Sequence, residues 1–493
     1  LRESWVRVLF VASECVPFAK AGGLGDVVGA LPKALRKLGH DVRVVIPRYG
    51  FIRVTDARRH AAPLGVPLGE GEAWCAVHEN RLPGSEVPIY FLEHDALFGG
   101  QEIYGADQDL HAMARFALLS RGALQLCRAL DFPPDVIHVH DWPSAWIPLL
   151  TDTVEDRPPF DRAATVLTIH NLAHQPRFPV EGLRMLDLPA EVFRSDGLED
   201  FGALNPLKGG CFFATMLTAV SPGYAREIQS SEGGAGLHHV MNARRADLVG
   251  ILNGIDDEYW NPATDPYLPA TYSAADLSGK AIDKRALQEE LGLEVGADLP
   301  LLGAVSRMNW QKGTDVLAAA LERILGLGAQ VVLLGSGDRA LERAFADRSA
   351  RGDGRFRAVI GYDERLAHRI EAASDLFLMP SRFEPCGLNQ LYSQRYGTLP
   401  IVRATGGLED TVENYDPESG AGTGFKLWDL DEDSLVATVA WALETYRARP
   451  GAFRAMQVRA MRKRLGWDAA AQRYVDLYQA AIDRRRSRFA WFG

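Results

Sequence analysis

The sequence contains no C-x-x-C pair. Cys15, Cys75, Cys127, Cys211 and Cys386 stand singly and are odd in number, which excludes a disulfide framework and a zinc knuckle and fits a reducing cytoplasm. No apolar run approaches the roughly 20 residues of a membrane span. The opening L-R-E-S-W-V-R-V-L-F-V-A-S has an apolar run too short for a signal peptide and no small-residue cleavage site. Positive charge is in deficit: 54 Lys plus Arg against 64 Asp plus Glu leave a net charge of -10, which argues against a nucleic-acid partner. No D-x-D pair appears in a setting that suggests a metal-held diphosphate, so no metal is expected and cations would do that work. There is no short-period repeat and no low-complexity tract.

What is present is α/β patterning, twice over. A chain of 493 residues with 47% apolar content is too long for one core and predicts two domains. Val6 to Ala12 reads as a buried strand, Asp26 to Leu38 as a helix with Val27, Val28, Leu31, Leu35 and Leu38 on one face, and Asp41 to Ile46 as the next strand. This is a βαβ opening, which implies a parallel sheet. Further strands are expected at Val87 to Leu92, Val136 to Val139, Thr165 to Ile169 and Leu248 to Leu252, with a helix over Leu110 to Leu130. The pattern restarts at Leu301 to Val305 and continues through Gln330 to Leu334, Phe356 to Ile360, Leu376 to Met379 and Leu399 to Val402. Two successive α/β runs predict two Rossmann-like domains. The Pro-rich span from Asn261 to Gly279 reads as loop near the junction. Trp467 to Ile482 reads as a helix that packs on either domain.

Chemistry in such folds sits at strand ends, and the sequence offers several loops there. Glu384 is a lone acid in S-R-F-E-P-C-G-L, just after the strand ending at Met379. Lys20, Gly22 and Gly23 form a cationic glycine turn that runs into the first helix, whose free N–H groups favour an anion. Val28 stands where a dinucleotide fingerprint requires its third glycine, so that motif fails. Arg307 and Lys312, in S-R-M-N-W-Q-K-G, follow another strand and suit a diphosphate leaving group. Gly335-Ser336-Gly337-Asp338 and Thr405-Gly406-Gly407 repeat the strand, glycine turn, helix logic. The two loop sets, far apart in sequence, predict one active site assembled from two domains. His138 and His140 point to one side of a strand; a hydrogen-bonded structural role is favoured over metal, since no third ligand is evident. Asp141 and the pair His170-Asn171 end strands where polar groups can face a sugar. Cys386 has no base nearby in sequence and reads as a pocket-lining residue rather than a nucleophile.

These segments together resemble the bacterial glycogen synthase and plant starch synthase family of retaining glucosyltransferases. The resemblance runs in order along nearly the whole chain, through K-A-G-G-L-G-D-V-V-G-A-L-P-K-A-L, H-V-H-D-W, T-I-H-N-L-A, V-S-P-G-Y-A-R-E-I, I-L-N-G-I-D, S-R-M-N-W-Q-K-G and P-S-R-F-E-P-C-G-L-N-Q-L-Y. It implies a GT-B type fold, two Rossmann-like domains facing across a deep cleft. The expected division is an acceptor-side domain over 1–255, a donor-side domain over 256–466, and a last helix over 467–493 returning to the first. It implies transfer of glucose from ADP-glucose to an α-1,4-glucan with no cofactor. On the matching positions, Lys20, Gly22 and Gly23 lie beside the donor diphosphate, and Arg307 and Lys312 bind it. Glu384 lies near the transferred glucose, with Asp141, His170 and Asn253 contacting or orienting that sugar. Tyr362 packs on the adenine, Tyr104 sits near the nucleotide, and Cys386, Gly387, Leu388, Thr405, Gly406 and Gly407 line the donor pocket. Ala21 and Gly25 replace the threonine and alanine usual in the family's first motif. Tyr392 stands where many related enzymes outside this family carry a second glutamate. A bacterial cytoplasm is the expected setting. A disaccharide-forming relative, a phosphorylase and a catalytically silent glucan-binding protein are the rival readings.

Overall fold

The computed structural model describes residues 5–105 and 107–489. The chain divides into two compact units. One comprises the residues up to Gly254 together with those from Trp467 onward; the other is Ile255–Gly466.

The strands of the first unit are β1 (Arg7–Val11), β2 (Asp41–Pro47), β3 (Arg58–Arg59), β4 (Leu64–Leu68), β5 (Gly71–Arg81), β6 (Pro88–Glu93), β7 (Val136–His140), β8 (Ala164–Ile169), β9 (Glu199–Asp200), β10 (Ala203–Leu204), β11 (Met216–Ala219) and β12 (Leu248–Gly250). Apart from the β9–β10 ribbon they form one sheet in the order β12-β11-β8-β7-β1-β2-β6-β5-β3, with β4 on β5. Pairing is parallel from β12 through β6. From β1 the chain moves to β2 on one side and later returns to β7 on the other, so the order reverses at β1 and β7. In open α/β sheets such a reversal is where ligands bind, outside the C-terminal strand ends. The final helix, Trp467–Phe489, packs on this unit: Tyr474 and Tyr478 are buried, and Tyr478 Oη lies 2.8 Å from His138 Nδ1.

The second unit holds β13 (Leu301–Val305), β14 (Gln330–Gly335), β15 (Phe356–Ile360), β16 (Leu376–Met379), β17 (Leu399–Arg403) and β18 (Phe425–Leu427), all parallel, in the order β15-β14-β13-β16-β17-β18. Both faces are covered, which explains the unbroken apolar runs. Alternate side chains feed two cores, as strand pleating requires. Leu302, Val331, Leu333, Leu376, Leu378 and Ile401 join one; Leu301, Val332, Leu334, Phe377, Met379 and Val402 join the other. Here the order reverses at β13 and β16, the strands that precede Lys312 and Glu384.

Three features depart from the sequence reading. The antiparallel β4–β5 hairpin was not expected, because β5 alternates half-exposed polar residues such as His78, Glu79 and Asn80 with few buried ones. The short strands β3, β9, β10, β11 and β18 were also missed; two to four residues carry no usable period. The strand expected over Leu248 to Leu252 ends at Gly250.

Candidate active site

In the second unit the loops after β13 and β16 lock together. Gly313 has φ 64, and a Cβ there would lie 1.8 Å from Pro380 O, so only glycine lets the loops approach this closely. Arg382 N donates to Gln311 O at 2.8 Å. The Arg382 guanidinium grips Asp315 with two bonds, at 2.6 and 2.7 Å, and donates to Trp310 O at 2.7 Å. Inside this frame Lys312 Nζ lies 2.5 Å from Glu384 Oε2, and Ser381 Oγ donates to the same oxygen at 3.2 Å. The Glu384 side chain is 7% exposed and that of Lys312 18%. A cation and a hydroxyl on the same oxygen fix the direction of this buried side chain. Arg307 is exposed on the same loop as Lys312.

The loop after β17 completes this edge. Gly407 N donates to Glu384 O at 3.0 Å. A Cβ on Gly407 would lie 2.1 Å from Cys386 O, and Gly387 has φ 72. Cys386, Gly387, Leu388, Thr405, Gly406 and Gly407 therefore belong to one packed pair of loops beside Glu384. Tyr362 follows β15 on the outer side of the same sheet and is 73% exposed. Asp338, in the glycine turn after β14, caps the helix Arg339–Ser349 through Ala340 N at 2.8 Å and Leu341 N at 3.1 Å.

The first unit presents its own edge at the ends of β1, β7, β8 and β12. Asp141, just beyond β7, is buried with φ 50, a left-handed backbone that non-glycine residues adopt at a cost of about 1–3 kcal/mol. Its Oδ1 accepts from His170 N at 2.7 Å and Asn171 N at 3.4 Å. Burial raises its carboxyl to about 7 against these bonds, with Glu14 adding to the rise. His140 Nδ1 and His170 Nε2 are 3.0 Å apart, and burial lowers His170 to about 3, so its ring is neutral. His138 bonds Tyr478 Oη at 2.8 Å and Thr168 Oγ1 at 2.6 Å, a structural arrangement. Among the described residues no group of three or more His, Cys, Asp or Glu side chains could hold a metal ion. Asn253 is buried beyond β12, and its Oδ1 has no hydrogen-bond partner among the described residues.

The glycine turn after β1 is held by a buried acid, Glu14. The N–H groups of Ala21 and Gly22 do not point at an open anion site. Both donate to Glu14 Oε2, at 2.6 and 2.9 Å. Tyr104 Oη donates to the other oxygen, Oε1, at 2.6 Å, and lies 2.8 Å from Ser13 Oγ. Burial and the Glu14 charge hold the Tyr104 phenol well above its ordinary range, which keeps it a donor. Lys20 pairs with Asp26 at 2.7 Å, and Gly22 and Gly23 stand at the start of the helix Gly23–Lys37. The sequence reading passed over Glu14, although it is an acid at a strand end, the signal that singled out Glu384.

Comparisons with known proteins identify the family. The profile of the starch synthase catalytic domain matches residues 7–243, and that of the group 1 glycosyl transferases matches residues 292–462. The chain is 50% identical over 490 residues to glycogen synthase 1 of Geobacter metallireducens, covering 97% of each chain. It is 43% identical over 484 residues to the glycogen synthase of Thermotoga maritima, covering 97% of this chain and 99% of that one. Among solved structures it is similar to the catalytic domain of starch synthase IV from Arabidopsis thaliana bound to ADP and acarbose, with a TM-score of 0.91 and 35% identity over 97% of this chain and 100% of that one. The chain belongs to the glycogen and starch synthase family, glycosyltransferases of the GT-B type built from two Rossmann-like domains.

Proposed function

We propose that this chain is a glucan-elongating glucosyltransferase, moving glucose from ADP-glucose to the non-reducing end of an α-1,4-glucan with retention of anomeric configuration and release of ADP. The observation that carries the reading is the Lys312–Glu384 pair, 2.5 Å apart at the strand reversal of the second unit.

Glucose leaves its diphosphate through an oxocarbenium-like transition state, so charge develops in opposite senses on sugar and leaving group. Arg307 and Lys312 offset the growing negative charge of the departing ADP. Glu384, held by Lys312 and Ser381, stabilises the cationic sugar and fixes its position. The acceptor hydroxyl loses its proton to the leaving phosphate on the same face. Asp141, His170 and Asn253 hold the glucose by its hydroxyls: a carboxyl raised to about 7 and a neutral imidazole offer donors and acceptors near neutral pH. Tyr362 packs on the adenine, while Lys20, Gly22, Gly23, Tyr104, Cys386, Gly387, Leu388, Thr405, Gly406 and Gly407 line the donor site. No helix in the described residues is long and apolar enough to cross a membrane, and the bacterial cytoplasm is the setting we propose.

Digestion of the elongated product tests the stereochemistry. New residues should be removed by a hydrolase specific for α-1,4 links. A β-linked product, or a glucosyl group trapped on Glu384, would overturn this scheme.

A further inference from the structure

We infer that Glu14 is a positioning residue for donor binding, tying the Lys20–Gly23 turn and the Tyr104 loop into one unit; the inference rests on the functional reading above. Glu14 sits three residues beyond β1, at the strand reversal of the first unit, and is 2% exposed. Its two oxygens are divided between two segments distant in sequence. Oε2 takes Ala21 N and Gly22 N, and Oε1 takes Tyr104 Oη. The fit is close: a Cβ on Gly25 would lie 3.3 Å from Oε2, so the first turn of the helix rests on the same carboxylate.

A buried carboxylate satisfying three donors is stable only while all are present, and the donors are ordered only while the carboxylate is there. Removing either end should therefore release the same elements. Glu14 itself need not touch the donor; it acts through Lys20, Gly22, Gly23 and Tyr104.

The test is the KM for ADP-glucose and, separately, for glycogen in Glu14→Ala, Glu14→Gln, Tyr104→Phe and the Glu14→Ala/Tyr104→Phe double variant. Glu14→Ala should raise the donor KM about tenfold or more while the glycogen KM stays within about twofold. Glu14→Gln should recover most of the loss, because its amide oxygen accepts both N–H groups and its NH2 can donate to Tyr104. The double variant should resemble Glu14→Ala alone. If Glu14→Ala does not fold, Glu14→Asp draws the carboxylate back from the turn and should still raise the donor KM several-fold. Single effects that multiply in the double variant, equal losses for donor and glycogen, or a wild-type donor KM in Glu14→Asp would overturn the inference. A wild-type enzyme that transfers nothing from ADP-glucose would instead sink the functional reading.

Discussion

Lys312 Nζ and Glu384 Oε2 meet at 2.5 Å across the two loops that flank the strand reversal of the second unit. The pair links the two halves of the proposed chemistry, the cation that receives the leaving charge and the acid that faces the sugar. Oε2 also carries a second bond, from Ser381, so this oxygen of Glu384 is fixed in direction.

Lys312→Ala removes the leaving-group cation and leaves a buried carboxylate with one partner fewer. Turnover should fall by about 10² to 10³, and stability by about 3 kcal/mol. Lys312→Arg should keep more of both than alanine does. Steady-state kinetics with a denaturant titration reads the two losses; an alanine variant with near-normal turnover would remove Lys312 from the reaction.

Gly313→Ala tests the loop frame without touching a charged group. The left-handed φ of 64 and the 1.8 Å approach to Pro380 O require the two loops to separate. Unfolding free energy should drop by about 2–4 kcal/mol, with a fall in kcat larger than the change in donor KM. Wild-type stability would contradict the packing described.

Tyr392→Glu would create the two-glutamate arrangement of related enzymes. Here Tyr392 stacks on Trp260, ring centroids 3.8 Å apart and planes within 9°, and Trp260 stacks in turn on His368 at 3.7 Å. Losing one aromatic contact costs about 0.5–1.5 kcal/mol beyond buried area, and a buried charge would add to that. The variant should unfold at lower temperature and gain no turnover. A stable, faster enzyme would show that this position faces the reaction.

The raised carboxyl of Asp141 gives a pH signature. Folded, it binds its proton up to about 7, against an ordinary value of 3.8. Between those values the native state holds a proton that the unfolded chain has lost, so this group's contribution to stability declines as pH rises, and is constant above 7. Asp141→Asn keeps an oxygen for His170 N and does not titrate. The stability of the variant relative to wild type should therefore climb from pH 4 to pH 7, by at most about 4 kcal/mol. A pH-independent difference would contradict the assignment.

The opposite slope belongs to His170. Its folded value of about 3 lies below the ordinary 6.5, so the stability of its neutral form is present above 6.5 and is lost as pH falls towards 3. Acid unfolding followed by circular dichroism should show a shallower dependence in His170→Gln across that window; an unchanged slope would mean the ring is not desolvated.

Much of this was legible in the sequence because it depended on local pattern. The run ending at Met379 made Glu384 a strand-end acid, and the run ending at Val305 made Arg307 and Lys312 strand-end cations. In the second unit, strands buried on both faces announced themselves as unbroken apolar segments. What was not legible depended on partners brought from elsewhere. Glu14 draws meaning from Tyr104, and the left-handed turn at Asp141 appears only once His170 is placed beside it. The β4–β5 hairpin was hidden by its polar face, and Tyr392 could be seen as a departure from a pattern but not as a partner of Trp260.

The most direct test of the central claim is nucleotide release and chain elongation by the wild-type enzyme, with ADP-glucose and UDP-glucose in parallel, glycogen as acceptor and a chelator present. The account predicts glycogen-dependent release of ADP, matched by longer α-1,4 chains and undiminished by the chelator. Transfer from neither donor, or ADP release with no growth of the glucan, would contradict it.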